Sequence, residues 1–203
     1  PDCYFVGNIC PTDLHDVLGK CTPQKTLFII TSKTFTTAET MANAAIAKNW
    51  LEQHGVDYSK AMVAVTAAGP RALEWGIDPQ HIFTFAEGVG GRYSLWSPVG
   101  LAAMIAIGSD DFASILAGGY AMDCHVQQAE FQQNIGVIMG LLRVWHRSYL
   151  HRPAYGLIPY DQRLAQLPAW AQQLEMESNG KAVDRHGHCL LYTSPSPRDL
   201  WIS

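Results

Sequence analysis

Between Ser32 and Thr37 the chain sets four hydroxyls and one ammonium side by side, on Ser32, Lys33, Thr34, Thr36 and Thr37. A phosphate group needs several short donors together with positive charge, and this cluster carries both. It runs directly into Thr36-x-x-Glu39, a capping-box spacing that opens a helix. A helix N-terminus adds unpaired backbone N–H groups and the positive end of the dipole. N-cap chemistry beside a solvated lysine accounts for the same residues equally well, since Ser and Thr are common caps.

Two other stretches carry chemistry. Gly90-Gly91-Arg92-Tyr93-Ser94 puts a guanidinium next to residues without bulk, so a ligand can approach the backbone while arginine offers a planar fork of donors. A turn with its arginine in a salt bridge is the plainer reading. Gln172 to Lys181 ends a helical pattern in acids, amides and Ser178-Asn179-Gly180; Glu177 stands where the helix stops, as a general base at a cleft would. An ordinary surface glutamate has the same spacing. No metal site is expected. His186-x-His188-Cys189 lacks a distant acidic or cysteine partner, and His146 and His151 miss the i, i+4 spacing of a helical zinc pair. Asp110-Asp111 reads as a helix cap, and His125 as a core or surface residue.

The elements that must position these groups alternate. Tyr4–Val6 reads as a strand and Thr12–Gly19 as a helix. Thr26–Thr31 is a buried, β-branched strand, followed by a helix over Thr37–His54 that Gly55 stops. Ala61–Thr66 and His81–Phe85 are further strands, with a short helix near Arg71–Trp75 between them. Such alternation predicts parallel strands with helices over both faces, and ligands at the carboxyl ends of the strands. Ser32–Thr37 and Gly90–Arg92 both follow strands and can share one crevice. Beyond Pro98 the pattern is helical: Leu101–Ile107, Asp110–Gly118, and Val126–Leu150 after a break at Gly118-Gly119. Gly156–Tyr160 reads as a strand and Gln162–Met176 as an amphipathic helix.

With 203 residues, 48% hydrophobic and 16% charged, the chain can bury a sizeable core. A net charge of -4 with no basic block argues against nucleic-acid binding, so any anionic ligand needs a local site. The five cysteines show no C-x-x-C spacing, as expected of reduced thiols in a cytoplasmic protein. The apolar runs Pro98–Ile107 and Ile135–Leu142 are too short to span a bilayer. A start at Pro1 without a basic-then-apolar leader fits a piece cut from something longer.

The segments TSKTFTTAET, EGVGGRYSLWSPVG and YDQRLAQLPAWAQQLEMESNGK closely resemble the glucose-6-phosphate isomerase family, and the likeness runs from about Phe5 to His188. The resemblance overturns the plainer readings above. It implies an α/β fold of the sugar-isomerase (SIS) type, a parallel sheet flanked by helices in three α/β/α layers, truncated here, with the start of a second SIS domain. Residues 1–125 would be the first domain without its N-terminal strand and loop. Residues 126–189 would be the helical connection and the start of the second, and 190–203 an unrelated tail.

The resemblance further implies a cytoplasmic homodimer of glycolysis and gluconeogenesis with no metal or other cofactor and no nucleic-acid or membrane partner. Its reaction would interconvert glucose 6-phosphate and fructose 6-phosphate through an enediol. By the same resemblance Ser32, Lys33, Thr34 and Thr37 grip the sugar phosphate, and Gly91 and Arg92 line the reacting end. Gln173 contacts substrate, and Glu177 moves the proton between C1 and C2. The family's ring-opening histidine and later glutamine and lysine are missing, so an incomplete, inactive piece with uncovered apolar faces is expected. A non-catalytic module that only binds a sugar phosphate is the alternative; the presence of both Arg92 and Glu177 argues against it.

Overall fold

The computed structural model describes residues 1–152, 154–177, 181 and 183–189 of the chain. They divide into two compact units, Pro1–Leu116 and Ala117–Ser203.

The first unit is organised around three parallel strands, β1 (Phe28–Thr31), β2 (Met62–Thr66) and β3 (Ile82–Thr84), in the order β1-β2-β3. Helix α1 (Pro11–Leu18) precedes the sheet, α2 (Ala38–Gln53) and α3 (Tyr58–Ala61) join β1 to β2, and α4 (Gly69–Trp75) joins β2 to β3. Every residue of β2 is buried. That is why its sequence, MVAVT, is apolar up to its closing threonine instead of alternating: a central parallel strand is covered on both faces. Met62, Ala64 and Thr66 point to one face and Val63 and Val65 to the other, by the two-residue period of a strand.

On the first face α2 lays Ala44, Ala47 and Leu51, spaced one helical turn apart, against Ile30, Met62 and Ala64. Ala72 of α4 and Ile77 complete that core. The edge of Trp50 meets the Phe28 ring at 6.0 Å. Gly55 ends α2 at φ 70°, a conformation that costs glycine nothing. Lys48 lies 3.8 Å over the Tyr58 ring and 5.1 Å from that of Trp75, a cation–π clamp from α2 to α3 and α4.

The three strands match expectation, the first two trimmed only at their amino ends and the third at both. Tyr4–Val6 is not a strand: no neighbouring strand takes up its backbone groups, and Phe5 is 74% exposed. Among the described residues Gly156–Tyr160 is likewise irregular, with Tyr160 fully exposed.

Helix α5 (Leu101–Ile107) is followed by α6 (Ser109–Gln128), which runs straight through Gly118-Gly119. Each interior glycine costs only about 0.5–1 kcal/mol, too little to end a long helix. Asp110 and Asp111 stand inside its first turn, not at its cap. The break falls instead at Asn134, whose Oδ1 accepts the Val137 N–H at 3.2 Å and whose Nδ2 donates to the Val126 carbonyl at 2.8 Å. Val126–Leu150 is therefore split into the end of α6, α7 (Ile135–Val144) and a π turn at Trp145–Tyr149.

Gln162–Met176 is divided as well, into a 3₁₀ turn at Gln162–Leu164, α8 (Leu167–Gln172) and a π turn at Gln173–Glu177. Pro168 has no N–H for the preceding turn, so the helix restarts beside it. In the second unit Asn134 is the one buried residue among those described, while Met139, Leu141, Leu142 and Trp145 are all more than half exposed.

Candidate functional site

The loop after β1 takes its shape from β2. Beyond Thr31 the ladder continues: the Ser32 N–H donates to the Val65 carbonyl at 3.1 Å and the Ala67 N–H to the Lys33 carbonyl at 3.0 Å. Thr66 Oγ1, fully buried, donates to that same Lys33 carbonyl at 3.1 Å and accepts the Ala68 N–H at 3.0 Å. Phe35 then turns the chain at φ 53°, with its N–H on Ser32 Oγ at 3.1 Å. A bulky residue in that region costs about 1–3 kcal/mol. Burial of the ring, which is 4% exposed and edge-on to Trp75, offsets this with about 1.5–3 kcal/mol. From α4, Arg71 Nη1 donates to the Thr34 carbonyl at 2.9 Å.

The hydroxyls pair with one another. Ser32 Oγ and Thr37 Oγ1 are 3.0 Å apart, and Thr34 Oγ1 and Thr36 Oγ1 are 2.8 Å apart. In each pair one hydroxyl donates and the other keeps its own proton for a ligand. The capping box expected from Thr36-x-x-Glu39 does not form. The N-cap is Thr37, and no side chain caps the helix, because its hydroxyl and that of Thr36 are engaged within the loop. The first N–H groups of α2 are thus left without a side-chain cap, next in the chain to Lys33, Thr34, Thr36 and Thr37, all of them exposed. An anion placed there meets hydroxyl protons, an ammonium, backbone donors and the positive helix end.

The chain leaves β3 at the same, carboxyl edge of the sheet and forms a 3₁₀ segment at Gly91–Trp96. Buried Ser94 donates from Oγ to the Gly91 carbonyl at 2.5 Å, and the Tyr93 N–H donates to the Gly90 carbonyl at 3.0 Å. Gly91 is exposed and Arg92 half-buried. Gly91 meets no heavy atom within 4 Å at its open Cβ position, so its backbone is accessible. A cavity of about 400 Å³ lies elsewhere, at the amino ends of β1 and β2, between Lys25, Thr26, Asp57 and Lys60.

In the second unit Gln173 opens the π turn that ends at Glu177, and its side chain is exposed. Arg143 of α7 ties that turn down through Glu175 Oε2 at 2.6 Å. The side chain of Glu177, the Ser178-Asn179-Gly180 turn and the segment 190–203 lie outside the described residues. His188 Nδ1 is 3.1 Å from Asp184 Oδ2, in a hairpin closed by Val183 and Cys189. The backbone N–H of His188 is the largest influence holding the Asp184 carboxyl below its ordinary range. His125 Nε2 accepts the Ile135 N–H at 3.1 Å. Among the described residues no group of three or more His, Cys, Asp or Glu converges as a metal site would, and no helix is long and apolar enough to cross a membrane.

A sequence profile of phosphoglucose isomerase matches residues 1–196. The chain belongs to the phosphoglucose isomerase family. Glucose-6-phosphate isomerase of Cereibacter sphaeroides is 47% identical over 196 residues, covering 96% of this chain and 37% of the relative. That of Ruegeria pomeroyi is 47% identical over 190 residues, covering 94% and 35%. The crystal structure of a glucose-6-phosphate isomerase from Chlamydia trachomatis superimposes with a TM-score of 0.82 at 32% identity, over 93% of this chain and 37% of that one. The crystal structure of a hypothetical protein from Thermus thermophilus gives 0.80 at 31%, over 98% and 48%. The chain thus spans a little over a third of the length of these isomerases. The profile match passes beyond Phe5 and His188 at both ends and reaches into the segment 190–203.

Three residues that hold the site escape a reading of the sequence. Thr66 reads as one more strand residue, Arg71 as a surface helix residue and Ser94 as part of a glycine-rich turn. The available signal was polarity at a buried end: Thr66 closes an apolar strand where a valine would fit as well.

Proposed function

We propose that the longer protein to which this chain corresponds is an aldose–ketose isomerase of glycolysis and gluconeogenesis, a cytoplasmic homodimer interconverting glucose 6-phosphate and fructose 6-phosphate. The observation that carries this reading is the Ser32–Thr37 loop. Its paired hydroxyls, Lys33 and the uncapped start of α2 follow β1 at the carboxyl edge of a parallel sheet, where ligands of such sheets bind. Relatives bearing the isomerase name supply the reaction.

Ser32, Lys33, Thr34 and Thr37 then hold the phosphate, and that remote binding energy orients the sugar. The Glu177 carboxylate takes the proton from C2 of the open-chain aldose, leaving an enediolate with its charge on O1, and the proton of the C2 hydroxyl passes to O1 as the C2 carbonyl forms. Glu177 returns the proton to C1, giving the ketose with no net change in atoms or electrons. Arg92, with the open backbone of Gly91 beside it, stabilises the negative charge that develops on oxygen, and Gln173 orients the sugar hydroxyls. We further propose residues 1–125 as the first SIS domain, 126–189 as the connection and start of the second, and 190–203 as a tail.

A coupled assay from fructose 6-phosphate tests the reading, on this chain and on one extended at both ends to the length of its relatives. Turnover is expected in the extended chain and is abolished by Glu177→Gln with phosphate binding retained. Near-normal turnover in that variant rejects Glu177 as the base.

A further inference from the structure

Arg71 stands apart from every residue discussed as a substrate contact, yet it reaches the phosphate loop from another βα unit. It is the third residue of α4, exposed, and its Nη1 donates to the Thr34 carbonyl at 2.9 Å. Thr34 carries one of the paired hydroxyls, so the guanidinium is anchored on the backbone of a residue of the cluster. A guanidinium has five N–H donors, of which this bond uses one. No carboxylate is paired with Arg71 among the described residues.

Support of the backbone does not by itself account for an arginine here. The loop is already fixed by Ser32 on Val65, by Ala67 and Thr66 on Lys33, and by the buried ring of Phe35. The exposed Thr34 carbonyl would be satisfied by water. Charge gives a better account. A phosphate monoester carries about -1.5 to -2 at neutral pH, whereas the loop itself supplies one cation, Lys33. A chain of net charge -4 offers no general attraction, so a second cation must be local.

Resting on the isomerase reading above, we propose that Arg71 is a second phosphate-binding cation of this site, holding the Thr34 carbonyl with one arm and presenting its remaining donors to the sugar phosphate. Its planar fork fits two phosphate oxygens at once, which a lysine in its place would not.

The test is calorimetric titration of the full chain with inorganic phosphate and with glucose 6-phosphate, comparing wild type with Arg71→Ala, Arg71→Gln, Arg71→Lys and Lys33→Ala. Glutamine keeps a donor for the Thr34 carbonyl but no charge; lysine keeps the charge. Arg71→Ala and Arg71→Gln should each weaken both ligands about fivefold to tenfold, and Arg71→Lys should stay within about threefold of wild type. Thermal melting should be little changed in all three, which excludes general unfolding as the cause. Wild-type affinity in Arg71→Gln would overturn the proposal, because Arg71 would then merely support the backbone. If wild type binds both ligands and Lys33→Ala weakens them while no Arg71 variant does, this inference falls and the isomerase reading stands. If wild type binds neither, the phosphate-loop reading fails and the role of Arg71 with it.

Discussion

Thr66 is the point where β2 supports the Ser32–Thr37 loop, and Thr66→Val isolates that support. Valine has the same shape, so no cavity opens and the buried methyl surface is kept. What is lost is an O–H donor to the Lys33 carbonyl at 3.1 Å and an acceptor for the Ala68 N–H at 3.0 Å. The Lys33 carbonyl retains the Ala67 N–H at 3.0 Å and stays satisfied. The Ala68 N–H, in a half-buried residue, loses the acceptor it has in the structure. One neutral hydrogen bond contributes about 1 kcal/mol, and an unpaired, partly desolvated donor costs a similar amount, so the net loss should be about 1–2 kcal/mol. With a urea slope near ~2 kcal/mol/M, the unfolding midpoint should fall by about 0.5–1 M. Phosphate affinity should fall too, because the Lys33 carbonyl loses one of its two anchors. Thr66→Ser keeps both bonds and should keep the affinity even though it gives up a methyl group. Paired urea titrations and phosphate titrations on the three proteins read both quantities. An unchanged midpoint with unchanged phosphate affinity in Thr66→Val would refute the claim that β2 sets the loop.

Other perturbations reach the scaffold. Gly76 ends α4 at φ 104°, and a Cβ there would come within 2.8 Å of the Tyr58 hydroxyl. Gly76→Ala should therefore cost about 2–3 kcal/mol, from backbone strain and from pushing Tyr58 off Lys48, and should lower Tm by several degrees. A melt identical to wild type would contradict the crowding. Asp57 caps α3, and the Ser59 hydroxyl, then its N–H, and the nearby Lys60 hold its carboxyl below the ordinary 3.8. A carboxyl with a lowered folded-state value stabilises above its ordinary value, and that stabilisation is lost as pH falls through the lowered one. Asp57→Ala should thus melt below wild type at neutral pH, with the gap closing only in strong acid. A gap that persists unchanged there would assign the loss to packing.

Much of the first unit was legible in the chain alone. The run Met62–Thr66 could be read as a covered parallel strand because five successive nonpolar or β-branched residues leave no face for water. The Ser32–Thr37 cluster was visible as a candidate because four hydroxyls and a lysine follow an apolar strand together, although helix capping accounted for them equally well. Boundaries set by distant partners were not legible. Asn134 stops one helix and starts another by binding Val126 and Val137, and Pro168 divides a pattern that hydrophobic spacing alone reads as continuous. Tyr4–Val6 and Gly156–Tyr160 have strand-like composition but lack a neighbouring strand among the described residues, which composition cannot supply.

Residue types and order determined the family, the parallel α/β plan and the identity of the groups suited to a phosphate. Tertiary structure alone decided how those groups are held. Thr66 and Arg71 lie more than thirty positions from the carbonyls they bind, and no local spacing encodes a hydrogen bond between separate βα units. It also decided that Thr36 and Thr37 serve the loop and not the helix end. A hydroxyl chooses between two nearby partners by position, and position is set only when β1 and β2 have paired and Phe35 has been driven into the core.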